Sequence, residues 1–226
     1  MRTLTKMVIG SMLGLVMSAC ETAPSNDGAS TPTSTNPGTM APPTPISASV
    51  GADVLPDQLY LCPMTSVSNA PGNVQSLKVS NYRKFVSVNG IEVALAPVEK
   101  ACFSSGFGPR GSRTHKGVDL HNSGPVRVFA GAGGTVREKA YRDDYGNMLV
   151  IDHGEGVFTR YAHLESFAPG IETGALLSVG QTVGVMGNTA SYRIPRHLHY
   201  ELLTGQWGAQ AGSFALTPVD AFELLP

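Results

Sequence analysis

Hydrophobic and polar residues alternate over short segments of this chain, and turns rich in glycine separate the segments. Residues 85–88 and 91–95 form one such pair, and Asn89 and Gly90 between them accept the positive φ angles of a type I′ hairpin turn. Further strand candidates are residues 126–129, 135–139, 148–152, 157–162, 182–186 and 197–203. No stretch shows a sustained amphipathic helical period. The pattern predicts an all-β protein, with an antiparallel sheet arranged as a sandwich or barrel and little helix.

The N-terminal residues 1–19 predict a secretory signal peptide. Arg2 and Lys6 precede an apolar run over residues 7–17, and small residues follow where a signal peptidase would cut. The apolar run is too short to cross a hydrocarbon core of roughly 30 Å as a helix. The segment is therefore expected to be cleaved.

Residues 17–20 resemble a bacterial lipobox, in which the cysteine, here Cys20, is acylated and becomes the new N-terminus. Glu21 stands where the inner-membrane retention signal has aspartate, so the resemblance implies an outer-membrane lipoprotein facing the periplasm. A plain signal peptide followed by an incidental cysteine is the alternative. Residues 20–56 are rich in Ser, Thr, Pro and Gly and predict a disordered tether, because they contain little apolar surface to bury.

The remaining composition is that of one globular unit in an exported protein. The chain has 16 Lys and Arg against 17 Asp and Glu, and removal of Arg2 and Lys6 with the signal leaves 14 basic residues and a net charge of −3. No basic stripe is available for nucleic acid. We expect residues 57–101 to form an N-terminal segment that contains the hairpin and packs on a catalytic domain at residues 102–226.

Cys62 and Cys102 remain as an even pair once Cys20 is assigned to lipid. An oxidising compartment favours a disulfide between them. Closing a loop of about 40 residues would stabilise the fold by about 3 to 4 kcal/mol in the chain-entropy model. Two buried thiols are the alternative.

The histidines are the main candidates for chemistry. All six lie between residues 115 and 199, and three of them fall in H-x-x-x-D, from His115 to Asp119, and in H-x-H, from His197 to His199. Imidazole and carboxylate are the ligands of a catalytic zinc site. On a strand, His197, His199 and Glu201 would share one face. The pattern predicts a metal-dependent hydrolase.

The chain resembles the LytM/lysostaphin-type zinc metallopeptidases, which cleave peptidoglycan peptides. The segments that carry the resemblance are residues 107–110, 115–119, 145–147, 161–164, 187–189 and 197–201. They occur in the order of that family and extend over residues 103–204. The resemblance implies the LytM peptidase fold, zinc ligands at His115, Asp119 and His199, and catalytic histidines at His163 and His197.

The chemistry of the residues is consistent with this assignment. The chain has no H-E-x-x-H segment to supply a glutamate base, whereas histidine is suited to transfer a proton near neutrality. The sequence leaves open which of His163 and His197 is the general base. Glu201 would either orient a metal ligand or pack, and Arg110 would either bind a substrate carboxylate or fix the loop before His115.

Other polar residues are expected to lie outside the chemistry. We interpret His121 as an exposed loop histidine and His153 as a structural residue in a turn. The loop at residues 190–196 departs from the family pattern, since Arg196 replaces the usual proline before the first histidine of H-x-H. Arg193 and Arg196 would add positive charge beside the cleft and meet carboxylates of stem peptides, or lie in a solvated loop.

Three functions remain open at this stage. The leading one is a zinc endopeptidase of the cell envelope, anchored to the membrane by lipid, that hydrolyses peptide cross-links between peptidoglycan stem peptides. The second is a non-catalytic regulator of the same fold that binds and activates another cell-wall hydrolase. The third is a passive wall-binding lipoprotein. Presence of the whole ligand set favours the enzyme.

Overall fold

The structure, a computed structural model, describes residues 51–63, 66–71 and 74–226. Cys20, the predicted signal peptide and most of the predicted tether lie outside the described residues. In the described part, the chain forms strands and two 3₁₀ turns but no α-helix. No helix in that part of the chain has the length and apolar character needed to cross a membrane.

The described residues contain sixteen strands, most of them short. In chain order they are β1 Val74–Gln75, β2 Lys78–Val79, β3 Phe85–Val88, β4 Ile91–Ala94, β5 Cys102–Ser105, β6 Gly108–Arg110, β7 Arg113–His115, β8 Val118–His121, β9 Arg127–Phe129, β10 Gly134–Arg142, β11 Gly146–Asp152, β12 Val157–Phe167, β13 Leu176–Leu177, β14 Thr182–Met186, β15 His197–Thr204 and β16 Thr217–Val219. The 3₁₀ turns are Ala52–Val54 and Ser213–Ala215.

Ten of the strands form one antiparallel sheet. Its main path is β13-β10-β11-β12-β15-β8-β5, with β14 joined to β12 and β9, and β16 joined to β15. The long strand β12 has two successive partners on the same edge, because residues 157–162 pair with β15 and residues 164–167 pair with β14. The sheet therefore divides at residue 163.

The core lies on both faces of the central strands. Leu149 and Tyr161 belong to the larger hydrophobic cluster, whereas Met148 and Val150 belong to a smaller one. Successive residues of a strand point to opposite faces, so both faces of this part of the sheet are covered. Residues 157–164 are all buried for this reason.

The predicted all-β antiparallel fold is confirmed, and each strand candidate in the sequence overlaps an observed strand. The predicted hairpin is the pair β3 and β4, with Asn89 and Gly90 at positive φ. The sequence did not predict β5 to β8. These strands are three or four residues long and mix charged, polar and apolar residues, so they show no clear alternation.

The N-terminal segment runs beside β5 and is joined to it by a disulfide. The predicted bond between Cys62 and Cys102 is present. Cys62 donates its backbone N–H to the carbonyl of Phe103 at 3.0 Å. Packed contacts begin before residue 57, since Leu55 is buried against Phe129.

Candidate metal centre

Three side chains with metal-binding atoms meet where β7, β8 and β15 come together. β7 ends at His115, and β8 carries Asp119. Asp119 lies directly opposite His199 of β15 in the antiparallel register, so the two side chains share one face of the sheet. Gly117 allows the turn between β7 and β8 to lie against β15, because a Cβ there would be 2.2 Å from the carbonyl oxygen of Tyr200.

The possible ligand atoms of these residues form a triangle with equal sides. Nε2 of His115, Nδ1 of His199 and Oδ1 of Asp119 are each 3.0 Å from the other two. All three residues are buried. The structure thus brings together the three residues that the resemblance implied as ligands, and their atoms could hold one metal ion.

Hydrogen bonds on the far side of each ring determine the histidine tautomers. Nδ1 of His115 lies 2.6 Å from the carbonyl oxygen of Gly106, which can only accept, so Nδ1 carries the proton. Nε2 of His199 lies 2.9 Å from the Glu201 carboxylate and carries its proton there. With that one proton on each ring, the other nitrogen can turn a lone pair toward Oδ1 of Asp119. Three acceptor atoms at such short separations repel one another unless a metal ion or a proton lies among them, and this set of atoms fits zinc.

The electrostatics of the triangle favour positive charge. Burial by itself lowers the pKa of His199, but hydrogen bonds to Asp119 and Glu201 outweigh burial and raise that pKa to about 9. Burial by itself raises the pKa of Asp119, but hydrogen bonds from His115 and His199 hold it well below its usual range. In the absence of metal, a proton supplies the positive charge that the carboxylates require.

A β-bulge brings a further histidine to this face of the sheet. Between Tyr161 and Leu164, β12 contains one residue more than β11 opposite it. His163 lies in this bulge at a φ of 61°, in the left-handed region that few non-glycine residues adopt. A regular strand would point His163 into the core beside Tyr161. The bulge instead places its ring 4.7 Å from that of His197 and 6.1 Å from that of His199.

His163 and His197 both have an Nε2 atom without a hydrogen-bond partner among the described residues. Nδ1 of His163 donates to the carbonyl of Thr189, and Nδ1 of His197 donates to the carbonyl of Pro195, each at 2.8 Å. Burial, followed by the nearby ring of His197, lowers the pKa of His163 to about 4. Burial also lowers the pKa of His197, in spite of the neighbouring Asp119. Both rings are therefore neutral at neutral pH and can accept a proton.

The three possible ligands lie in a part of the chain that matches a known protein family. Residues 113–210 match the model of peptidase family M23. These residues are an M23 peptidase domain. The match includes the three possible metal ligands together with His163 and His197.

Curated proteins that are similar to this chain include enzymes named as endopeptidases. Peptidoglycan DD-endopeptidase ShyC of Vibrio cholerae is 31% identical over 115 residues, which cover 48% of this chain and 26% of ShyC. The L-Ala–D-Glu endopeptidase of Bacillus subtilis is 32% identical over 101 residues, which cover 42% of this chain and 30% of that enzyme. The matched region thus spans less than a third of either relative. A solved zinc-containing peptidase from Vibrio cholerae has 26% identity and a TM-score of 0.49, with 61% of this chain and 45% of that one covered.

The M23 centre opens into a cavity of about 680 Å³. The cavity is lined by the four histidines of the centre, Asp119 and residues from several loops. Arg110, Arg113 and Lys116, on and beside the β6–β7 hairpin, give the lining positive charge, and Asp144 adds one carboxylate besides Asp119. The cavity is suited to a ligand that carries negative charge.

Arg110 contacts the M23 centre directly. Its Nη2 atom donates to Oδ2 of Asp119 at 3.1 Å and to the hydroxyl of Ser105. The Arg110 side chain is 48% exposed. The contact with Asp119 orients a possible metal ligand, a role that the sequence did not predict, and the exposed surface leaves room for a substrate carboxylate, one of the two roles that the sequence left open.

One interpretation of a nearby residue is wrong. His121 is not in an exposed loop but lies half-buried in β8, where its Nδ1 donates to the carbonyl of Arg196 at 2.6 Å. The strand β8, which the sequence did not predict, explains the error. Of the two arginines in the loop before H-x-H, Arg196 has its charge balanced, because its guanidinium pairs with Glu165 and bonds the carbonyl of Met186, whereas Arg193 is exposed to solvent.

His153 has the structural role that the sequence indicated. Its Nδ1 donates to the carbonyl of Gly133, and its Nε2 accepts a hydrogen bond from the hydroxyl of Thr159, each at 2.8 Å. Burial lowers the pKa of His153. It is a neutral histidine outside the M23 centre.

The sequence did not reveal the groups that hydrogen-bond to the possible ligands, or to Glu201, on the side away from the metal site. The carbonyl of Gly106 fixes His115 and leaves no side-chain signal in the sequence. The hydroxyl of Tyr145 donates to Glu201 at 2.8 Å, and Arg160 pairs with the same carboxylate. For Arg160 a signal existed, because a charged residue inside an apolar strand candidate is seldom buried without a partner.

Proposed function

We propose that this protein is a zinc-dependent endopeptidase that hydrolyses peptide cross-links of peptidoglycan. The observation that carries the proposal is the convergence of three lone pairs, on His115, Asp119 and His199, in a cavity that His163 and His197 also line. The activity named for ShyC supports the substrate class.

The residues divide the chemistry between them. His115, Asp119 and His199 would hold zinc, which supplies a more acidic water and a polarised scissile carbonyl. His163 and His197 handle the proton, since each presents an unprotonated Nε2 atom at neutral pH. His197 is the stronger candidate for the base, because its Nε2 lies 3.6 Å from Oδ1 of Asp119, whose negative charge stabilises the imidazolium. The protonated ring can then return the proton to the leaving amine.

The positive charge of the cavity indicates which peptides it accepts. Arg113 and Lys116 are exposed and line the cavity, and neither takes part in an ion pair within the described residues. Stem peptides carry several carboxylates, so attraction to these side chains would favour their binding.

The proposal places the enzyme in the cell envelope, anchored by lipid on Cys20. The resemblance of residues 17–20 to a lipobox supports this location. Incorporation of radiolabelled palmitate into the expressed protein would test it. We expect labelling in the wild type and none in Cys20→Ala, whereas equal labelling of both proteins would contradict the anchor.

Metal analysis together with digestion of purified peptidoglycan tests the activity. We expect one zinc ion per chain and new peptide termini with the wild type, and neither with His199→Ala. Glu172→Ala is a matched control, because it removes an exposed carboxylate whose ion pair with Lys139 contributes at most about 1 kcal/mol. A folded wild type that binds no zinc and cleaves no wall material would contradict the proposal and favour the non-catalytic regulator.

A further inference from the structure

Arg160 and Glu201 form an ion pair in the interior, directly behind the metal centre. They lie opposite each other in the register of β12 and β15. The Arg160 side chain is 2% exposed and the Glu201 side chain is 0% exposed. Only Tyr200, which points to the opposite face, lies between Glu201 and the ligand His199 in β15, so the ion pair and the ligand share the same side of the sheet.

The Glu201 carboxylate joins Arg160 to His199. Its Oε2 atom accepts a hydrogen bond from Nη1 of Arg160. Its Oε1 atom accepts hydrogen bonds from Nε2 of His199 at 2.9 Å and from the hydroxyl of Tyr145 at 2.8 Å. The contact with Nε2 is the one that leaves the lone pair on Nδ1 of His199 for the metal.

Arg160 is itself held in place by the C-terminal part of the chain. Its Nη2 atom donates to the carbonyl of Ser213 at 2.9 Å. The guanidinium lies over the rings of Phe214 and Tyr145, at 4.4 and 5.0 Å from their centroids. These contacts fix the plane of the guanidinium and hence the direction of its bond to Glu201.

Stability alone is a weak explanation for such a pair. Two charges lose their hydration when they are buried, and well-packed apolar residues often serve the fold equally well. Here the cost is increased by Nε of Arg160, which is buried and has no hydrogen-bond partner among the described residues. The contact with His199 gives the pair a role that apolar residues could not fill.

We propose that Arg160 is a positioning residue of the metal centre, which acts through Glu201 to hold His199 in the orientation that binds the metal. The inference rests on the proposed zinc site. It extends that site to the loop around Ser213, outside the matched M23 region.

Zinc affinity, measured by competition with a chromophoric chelator, tests the inference without any assay of cleavage. Arg160→Met removes the charge and keeps most of the volume, and we expect it to lower zinc affinity about 10- to 100-fold. Arg142→Met is the matched control, because Arg142 also stacks on Phe214, at 4.2 Å, but belongs to no hydrogen bond with Glu201. We expect the control to bind zinc like the wild type.

A double-mutant cycle separates positioning from a general effect on the fold. If Arg160 acts through Glu201, Arg160→Met causes no further loss of zinc affinity in a Glu201→Gln background. An equal loss in both backgrounds would overturn the inference. Arg160→Met alone leaves the buried charge of Glu201 unpaired and could fail to fold. The double variant has no such charge, so its zinc affinity can still be compared with that of Glu201→Gln.

The Nε2 proton of His199 provides a second measurement in the zinc-loaded protein. We expect a slowly exchanging NMR signal for this proton in the wild type, faster exchange in Arg160→Met, and an intermediate rate in Arg160→Lys. Equal exchange rates in all three would contradict the positioning role. If the wild type binds no zinc at all, the proposed function fails, whereas a zinc-binding wild type with an unaffected Arg160→Met variant contradicts only this inference.

Discussion

His199 and His163 are close together in the cavity, but their pKa values are shifted in opposite directions. His115 and His199 meet at the carboxylate of Asp119, and the pKa of His199 is raised to about 9. His163 and His197 lie beside them, yet burial and its neighbouring ring lower the pKa of His163 to about 4. The same side chain is therefore adapted to hold positive charge in one place and to remain an uncharged base in the other.

The difference comes from what each ring uses as its anchor. His199 lies between two carboxylates, whose full negative charges stabilise a cation. His163 and His197 are anchored by the backbone carbonyls of Thr189 and Pro195, which fix the ring but carry only partial charge. One residue type can thus hold positive charge at position 199 and remain neutral at position 163, because the partners of the two rings differ.

The largest expected effect is a loss of kcat, which should occur without loss of zinc when His163 or His197 is replaced. His163→Ala or His197→Ala should lower kcat about 10²- to 10⁴-fold, because a positioned proton acceptor is removed, while one zinc ion per chain is retained. Asp119→Ala should lose both zinc and activity. Steady-state kinetics and metal analysis of the three variants would check this. If His163→Ala lost as much zinc as Asp119→Ala, His163 would be needed for metal binding and not only for proton transfer.

Removal of the metal should destabilise only proteins with an intact triangle of ligands. At free zinc about a thousandfold above its Kd, binding adds about 4 kcal/mol to the free energy of unfolding. We therefore expect a chelator to lower the Tm of the wild type by roughly 10 °C and to leave that of Asp119→Ala unchanged. Differential scanning calorimetry with and without chelator would measure both shifts. A chelator-dependent Tm in Asp119→Ala would place the metal elsewhere.

The sequence predicted the direction of the β15 side chains correctly, but it could not predict the direction of His163. Alternation along β15 correctly put His197, His199 and Glu201 on one face, because the strand is regular. The same rule fails for His163, since the bulge in β12 reverses its direction and no residue type marks the bulge. The short strand β8, which carries Asp119, also gave no recognisable pattern.

His153 provides a neutral histidine outside the cavity for comparison. His153→Leu should lower the free energy of unfolding by about 1–3 kcal/mol at pH 8, because it leaves the carbonyl of Gly133 without its partner and removes one of the two hydrogen bonds of the Thr159 hydroxyl. Burial lowers the folded-state pKa of His153, so its stabilising contribution is complete above the unfolded pKa of about 6.5 and declines as the pH falls below it. Urea unfolding at pH 8 and pH 5 should show a smaller gap between variant and wild type at pH 5. A gap that widens in acid would contradict this.

The smallest expected effect concerns the backbone that brings His163 to the site. At a φ of 61°, a residue with a Cβ is strained by about 1 kcal/mol relative to glycine. His163→Gly should therefore be about 1 kcal/mol more stable than His163→Ala, which reverses the usual order in a strand, where glycine destabilises. Position 162, which is outside the positive-φ region, provides the matched comparison. There we expect Ala162→Gly to be less stable than the wild type. Chemical denaturation of the four proteins measures both differences. If alanine were the more stable residue at position 163, the left-handed conformation would cost nothing, and the orientation of this histidine would need an explanation other than the bulge.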